Sequence, residues 1–232
     1  MKDNKVIQLS EIEHILQRSA RYLGSITMSK VSRFYLVVDK IKYGEVEYVP
    51  ALLKLIREVL DNSIDEALRT NFKFANKIKI TSSNDTIIIE DNGRGIPVVQ
   101  SEDSSGNKLE DLMPTLAWCS LRAGSNFADE ADNTTIGQNG EGASLCNVWS
   151  KEFIGETGDG NNFYKVVCKN NLSSKKITTR PGKKRFTKVT FKPDLERMNL
   201  TEISPLYMDL LAFDLMFLQE TYPNIKFTFE RK

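Results

Sequence analysis

The chain has 232 residues and a mass of 26.4 kDa, which is enough to build one large domain with a proper core. Hydrophobic residues make up 40% and charged residues 27%, so a mostly disordered chain and a disulfide-scaffold miniprotein are both excluded. The 32 lysines and arginines nearly cancel the 31 aspartates and glutamates. A net charge of +1 therefore gives no global electrostatic reason to expect nucleic acid or an anionic membrane as a partner.

Histidine and cysteine are scarce, which removes several classes of site. His14 is the single histidine, so a Ser-His-Asp triad or a histidine-rich metal site is not expected. Cys119, Cys146 and Cys168 are odd in number and widely spaced, as expected for reduced thiols in the cytoplasm. The N-terminus has no apolar signal core, and no apolar run reaches the ~20 residues that span a bilayer, so we expect no membrane partner.

The first part of the chain predicts two helices and two strands. Ser10–Arg21 reads as a short helix, with Ser10 and Glu13 forming a capping box. Val49–Arg69 is the strongest helix signal, and the β-like runs Lys77–Thr81 and Thr86–Glu90 follow it. Further helices are predicted at Leu112–Arg122, Ala143–Trp149 and Ser204–Glu220, and further strands at Phe163–Cys168, Lys188–Lys192 and Lys226–Glu230.

A long polar stretch interrupts this series. Ala123–Gly142 is rich in Gly, Asn, Asp and Thr and reads as a loop, and a loop of more than ~15 residues in a compact domain is usually functional or disordered. Strands and helices mix without regular βαβ alternation, which favours an α+β fold over a doubly wound sheet.

The Val49–Arg69 helix has an apolar side and an acidic side. At ~100° per residue, one side carries the aliphatic residues and the other carries Glu58, Asn62, Asp65 and Glu66. A solvated polar face is the ordinary explanation of such a pattern. However, the face lacks the lysines that usually decorate exposed helices, and its oxygens suit Mg²⁺ with a general base beside it.

Two glycine segments follow. In the first, Ile87–Pro97, a buried-type strand ends in Asp91, which could accept hydrogen bonds from an amino-bearing heterocycle; an ordinary Asn-Gly turn is the alternative. In the second, Gly137–Ser144, glycines run into a helix, where backbone N–H groups suit phosphate. The Walker pattern is absent, and Pro97 excludes the dinucleotide fingerprint. Together the segments fit one nucleotide site.

Three motifs resemble the ATP-binding motifs of type II DNA topoisomerases, within the superfamily of gyrase, the heat-shock chaperone, histidine kinases and the mismatch-repair ATPase. They are Glu58–Ala67 (EVLDNSIDEA), Asp91–Pro97 (DNGRGIP) and Gly137–Gly142 (GQNGEG). Arg18–Ser25 is similar to the segment that precedes the first motif in that family. Tyr48–Pro50 through Ile78, and Gly155–Gly160, most resemble its bacteriophage members. The resemblance covers essentially the whole chain.

The resemblance implies a Bergerat-type ATP-binding fold: a two-layer α+β sandwich in which helices cover one face of a mixed, mostly antiparallel sheet. It implies ATP and Mg²⁺ as ligands, with Glu58 as the general base and Asn62 as the metal ligand. It makes Asp91 the adenine acceptor, with Thr187 beside it. The other nucleotide-site residues that it implies are Asp65, Glu66 paired to Arg94, Gly95, Ile96, Pro97, Asn139, Gly140, Glu141, Gly142 and Ala143.

The resemblance also implies a domain organisation and partners. Residues 1–232 would form a single ATPase domain with an ATP lid at 124–142, truncated before the transducer, cleavage core and DNA-cutting domains. In the parent enzyme, ATP would dimerise this gate with a second copy and drive the passage of one DNA duplex through another, together with the other domains or subunits. Such an enzyme would act in the cytoplasm, or in the host cytoplasm if a phage encodes it.

Several positions depart from the family pattern. Phe186 replaces the usual glycine before Thr187, and Ser125, Asn126 and Ile136 differ from the usual lid residues. Glu141 adds negative charge near the triphosphate, so an adenine-pocket protein with poor hydrolysis is an alternative, as is a chaperone or mismatch-repair relative. The basic run Lys175–Lys188 reads as a solvated loop rather than a DNA-facing patch.

Overall fold

The fold comes from a computed structural model that describes residues 8–38, 40–121 and 141–232. Seven strands form the main sheet, in the order β11-β3-β4-β10-β7-β8-β9. Only the β11–β3 pair is parallel. The strands are β3 (Lys77–Ser82), β4 (Ile87–Asp91), β7 (Ser150–Asp159), β8 (Asn162–Lys169), β9 (Ser174–Pro181), β10 (Arg185–Pro193) and β11 (Lys226–Arg231).

Helices cover one face of this sheet. Along β8, Tyr164, Val166 and Cys168 are buried while the residues between them are not, so one face meets the core and the other faces solvent. The helices are α1 (Glu11–Gln17), α2 (Ser19–Tyr22), α3 (Pro50–Arg69), α4 (Met113–Cys119), α5 (Gly142–Val148) and α6 (Leu206–Thr221), with a 3₁₀ turn at Leu195–Met198. The predicted α+β sandwich with a mixed, mostly antiparallel sheet is confirmed.

Two smaller antiparallel pairs flank the sandwich. The hairpin β1 (Ser29–Val37) and β2 (Lys40–Tyr48) packs against α6, and β5 (Gln100–Glu102) pairs with β6 (Lys108–Leu112) ahead of α4. The β1–β2 hairpin was not predicted from the sequence. Val46 is the only buried residue among the described residues of its two strands, although Lys40–Tyr48 alternates charged and apolar side chains over short stretches, a strand signal that the prediction missed.

The structure corrects two of the predicted elements. The first helix breaks at Arg18 into α1 and α2, although the predicted capping box of Ser10 and Glu13 is present. The basic run is not a loop, because Ser174–Pro181 forms the edge strand β9 and Arg185 begins β10. Cys119, Cys146 and Cys168 are free thiols. In the described part of the chain, no helix has the length and apolar character that crossing a bilayer requires.

Candidate nucleotide site

Helix α3 carries the acidic residues and lies under the sheet. Pro50 at its first turn has a preset φ and lacks an N–H that would be unpaired there, which favours helix initiation. On the acidic side, Asp65 is only 3% exposed and the Glu58 side chain is 30% exposed, whereas Asn62 is exposed. The acidic side is therefore only partly solvated.

Glu58 lies in the middle of α3, and its carboxylate is partly desolvated. Burial raises the pKa of Glu58 above its ordinary value, Lys54 opposes this at 3.8 Å, and Glu141 adds to it. The Lys54 ammonium is itself held by the backbone carbonyl of Tyr22 at 2.8 Å. A carboxylate whose pKa is raised toward neutrality is a better proton acceptor for a water molecule.

Asp91 ends β4 and points into the same region. Its carboxylate is 5% exposed and accepts hydrogen bonds from the Ser63 hydroxyl and the Gly93 N–H, both at 2.7 Å. Burial raises the pKa of Asp91 to about 6, against the lowering effect of those donors. Thr187 pairs directly with Asp91 across β4 and β10, as expected. Asp91, the last residue of β4, thus presents a buried carboxylate at the start of the turn.

The turn after Asp91 is held by two sets of contacts. Arg94 forms a bidentate ion pair with Glu66, at 2.8 and 3.0 Å, so the pairing implied by the resemblance is present. Gly95 has φ +79° and packs directly on the backbone of Gly158, where any side chain would overlap the Gly158 carbonyl. These contacts fix the path of the chain beside Asp91.

Ile96 and Pro97 continue this turn along the edge of the site. The Ile96 N–H donates to the Thr157 hydroxyl at 2.9 Å, and that hydroxyl donates to the Phe186 carbonyl at 3.0 Å. Ile96 is partly buried and Pro97 is exposed, so both remain accessible to a ligand. Thr157 was not predicted, because it lies 61 residues away from Ile96 in sequence and only the sheet brings it there.

Helix α5 begins beside Glu58. Gly142 is its first residue, and a Cβ at this position would overlap the Glu58 carboxylate oxygen Oε2. Ala143 is only 6% exposed, so its side chain belongs to the core and only its backbone can face a ligand. Asn139, Gly140 and almost all of the predicted lid at 124–142 lie outside the described residues.

One carboxylate next to the site was not singled out from the sequence. Asp61 is flanked on α3 by Glu58 and Asp65, and burial raises its pKa to about 6. Its Oδ1 lies 3.4 Å from an Arg57 nitrogen but has no hydrogen bond within the described residues. The sequence did contain a signal for this residue, because helical geometry places Asp61 between Glu58 and Asp65 on one side of α3.

The side chains fit a magnesium–nucleotide complex. Asn62 is exposed on α3, one helical turn from Glu58, and within the described residues its amide makes no hydrogen bond, so its oxygen can serve as a ligand. The described part of the chain contains no group of three His, Cys, Asp or Glu side chains that could hold a metal. Mg²⁺ commonly takes one or two protein oxygens and completes its shell with water and phosphate, so this donor set suits it.

Comparison with known proteins agrees with this geometry. Residues 48–197 match the family of histidine kinase-, DNA gyrase B- and HSP90-like ATPases. The whole chain is 44% identical to the DNA topoisomerase large subunit of Enterobacteria phage T4, but it covers only 44% of that protein. It is also 36% identical over 207 residues to DNA topoisomerase 2 of Saccharomyces cerevisiae, covering 86% of this chain and 14% of the relative.

Solved structures show the same relationship. The ATPase region of Saccharomyces cerevisiae topoisomerase II superposes with a TM-score of 0.85 at 29% identity, over 98% of this chain and 61% of that one. The ATPase and transducer domains of DNA topoisomerase II from Balamuthia mandrillaris give a TM-score of 0.86 at 26% identity, over 99% and 60%. The family match, the fold and the similarity to these ATPase regions together show that this chain belongs to the histidine kinase-, DNA gyrase B- and HSP90-like ATPase family.

Proposed function

We propose that this chain binds ATP with Mg²⁺ and hydrolyses it, as the ATPase domain of a type II DNA topoisomerase. The observation that carries the proposal is that a buried acceptor, Asp91, is hydrogen-bonded to Ser63 on α3, the helix that also carries the partly buried carboxylate of Glu58. Asp91 recognises the adenine amino group, while Glu58 acts at the phosphate end of the same molecule. The turn Gly95–Pro97 lines the adenine edge.

Glu58 orients a water molecule for attack on the γ-phosphorus and takes its proton. The raised pKa of Glu58 suits this role, because a base works best when its pKa lies near the working pH. Asn62 supplies an oxygen for Mg²⁺, which when bound neutralises charge on the phosphates. Gly142 brings the backbone of α5 close to Glu58, so phosphate and base meet at the junction of α3 and α5.

The wider role follows from the relatives. ATP binding would join this domain to a second copy, and hydrolysis would drive the passage of one DNA duplex through another, together with the remaining topoisomerase domains or subunits. The chain spans less than half of the phage relative, so these partners and the duplex DNA are part of the proposal. A nucleotide-sensing role without hydrolysis is the alternative, and a single-turnover assay separates the two.

The first test is nucleotide binding by thermal shift with Mg-ATP. Ligand at ~100-fold over its dissociation constant should stabilise the protein by ~2.7 kcal/mol. Asp91→Asn should abolish this shift while the protein stays folded, because an amide places a donor where the adenine amino group needs an acceptor. The matched control is Asp85→Asn, which alters an exposed aspartate in the turn just before β4. An unchanged shift in Asp91→Asn would refute the adenine assignment.

A further inference from the structure

Strand β9 forms an exposed edge of the main sheet, and it is strongly basic. All eight of its residues are exposed. Residues 174–188 contain seven lysines and arginines and no carboxylate, although the whole chain has a net charge of +1. The other 217 residues therefore carry a net charge of −6, so the net charge of residues 174–188 is opposite in sign to that of the rest of the chain.

Two aromatic rings lie within this basic edge. Phe163 of β8 and Phe186 of β10 stack with centroids 6.3 Å apart and planes at 26°. The Arg180 guanidinium lies 4.3 Å from the Phe163 centroid, and the Lys184 ammonium lies 4.6 Å from the Phe186 centroid. Each ring therefore makes a cation–π contact with one of these cations. Phe186 is the position where this chain departs from the family's usual glycine.

Most of these cations have no acidic neighbour. Lys175, Lys184 and Lys188 pair with Asp111, Glu90 and Glu156 at 3.4, 3.5 and 3.8 Å. Within the described part of the chain, no carboxylate lies within 4 Å of the nitrogens of Lys176, Arg180, Lys183 or Arg185. Three of these cations, Lys176, Arg180 and Lys183, lie on β9 or the β9–β10 turn, and among the described residues no carboxylate pairs with them.

We propose that this basic edge, formed by β9 and the β9–β10 turn, binds the phosphate backbone of duplex DNA. Lys176 and Arg180 point to the solvent-facing side of the sheet, since they pair with Val167 and Phe163 on β8. They lie four residues apart, about 13 Å along a strand. Four nucleotides of one DNA strand advance about 14 Å along the helix axis, which is close to this separation. The two cations therefore reach different phosphates.

Duplex DNA is the polyanion that fits best. Its charge repeats evenly along a straight axis, and an extended edge strand can follow such an axis, whereas a compact phosphate ligand would need converging donors. The contact would be independent of base sequence, because it is made to phosphates. The choice of DNA, but not the basic edge itself, rests on the proposed topoisomerase role. The Lys176, Arg180 and Lys183 side chains are not among the proposed nucleotide-site residues, so charge removal at the basic edge and loss of ATP binding can be measured independently.

The test is fluorescence anisotropy of a labelled 20-bp duplex, titrated with the full chain between 50 and 200 mM salt. We expect a dissociation constant of about 10⁻⁴ to 10⁻⁶ M, and we expect it to increase as the salt concentration rises. The variant Lys176→Gln/Arg180→Gln/Lys183→Gln should bind at least about tenfold more weakly, with a slope of log K against log salt reduced by about 2 to 3. The control Lys40→Gln/Lys42→Gln/Lys73→Gln removes the same charge from other exposed positions and should bind as the unaltered protein does.

Three results would overturn the proposal. The first is no binding of the unaltered chain to DNA at millimolar concentration in 50 mM salt. The second is an equal loss of binding in both triple variants, which would indicate net charge rather than a site. The third is displacement of the duplex by polyglutamate of equal charge at equal concentration, which would assign the edge to an acidic protein partner. The thermal shift with Mg-ATP should be the same in the basic-edge variant, so failure of DNA binding is distinguishable from failure of the ATP site.

Discussion

The Glu58 carboxylate occupies the space that a side chain at Gly142 would need, so helix α5 begins in direct contact with the proposed base. The two residues lie on different helices, so the contact depends on how α3 and α5 pack and not on the local sequence. The close approach holds the Glu58 side chain against the start of α5 and limits its rotamers. Glycine at position 142 is therefore a condition for the position of the carboxylate.

Gly142→Ala should displace Glu58 and reduce hydrolysis while nucleotide binding persists. The added Cβ overlaps Oε2, so either the carboxylate or the helix must shift. A shift of about 1 Å at a reacting group can cost about 10²-fold in rate. The measurement is steady-state ATP hydrolysis beside a thermal shift with Mg-ATP. The control Gly44→Ala alters a glycine on β2 whose added Cβ would meet only the Tyr35 hydroxyl, at 3.9 Å, and it should keep full activity.

Glu58→Ala should keep ATP binding and lose about 10² to 10⁴ in hydrolysis, the usual contribution of a general base. The α3 backbone is unaffected, because alanine is the best helix former. Single-turnover hydrolysis measures the effect, and Glu47→Ala on the exposed strand β2 is the control. Hydrolysis at the parental rate in Glu58→Ala would end the base assignment.

Ser63→Ala should raise the pKa of Asp91 further and weaken nucleotide binding at neutral pH. The Ser63 hydroxyl donates to the charged form of Asp91, and that hydrogen bond lowers the pKa of Asp91. Without it, Asp91 takes up its proton at higher pH, and a protonated carboxyl is a poorer acceptor. When the affinity for Mg-ATP is measured from pH 5 to 8, the pH at which it is half-maximal should be higher in Ser63→Ala than in the parent protein. The exposed Ser32→Ala should leave the profile unchanged.

Asp61→Asn should stabilise the protein at pH 8 and have little effect at pH 4. The pKa of Asp61 is raised to about 6 in the folded state, from about 3.9 when unfolded. The folded state therefore binds more protons than the unfolded state between these pH values. The contribution of Asp61 to the free energy of unfolding is fully present below pH ~4 and is lost as the pH rises through 6. The shift corresponds to at most about 3 kcal/mol.

Urea unfolding at both pH values measures this difference. The pKa values of Asp91 and Glu58 are also raised, but both groups titrate in the variant and in the parent protein. The difference in stability between the two proteins therefore reports on Asp61. Asp103→Asn is the matched control, since Asp103 is exposed and its pKa is lowered by Asn107. Equal gains from Asp61→Asn at pH 4 and pH 8 would contradict the burial of a charge at this position.

The sequence predicted the elements that have a strong local signal. Helix α3 was predicted to within a residue, because its apolar residues recur at the helical period and Pro50 marks its start. Strands β3 and β4 were placed by the turn between them. In contrast, the β1–β2 hairpin and β9 were missed. Strand β9 is exposed throughout, so it shows no alternation of buried and exposed residues, and none of the described residues of β1 is fully buried.

The sequence by itself determined the chemistry available to this protein: a helix with Glu58 and Asn62, a strand ending in Asp91, and glycines ahead of a helix. These are fixed by residue type and short spacing, which local propensity and periodicity reveal. Only the tertiary structure decided that Ser63 bonds Asp91, that Gly142 meets Glu58, and that Arg180 lies on Phe163. Such contacts join residues 17 to 84 positions apart, and strand order and helix packing, which no local pattern encodes, bring them together.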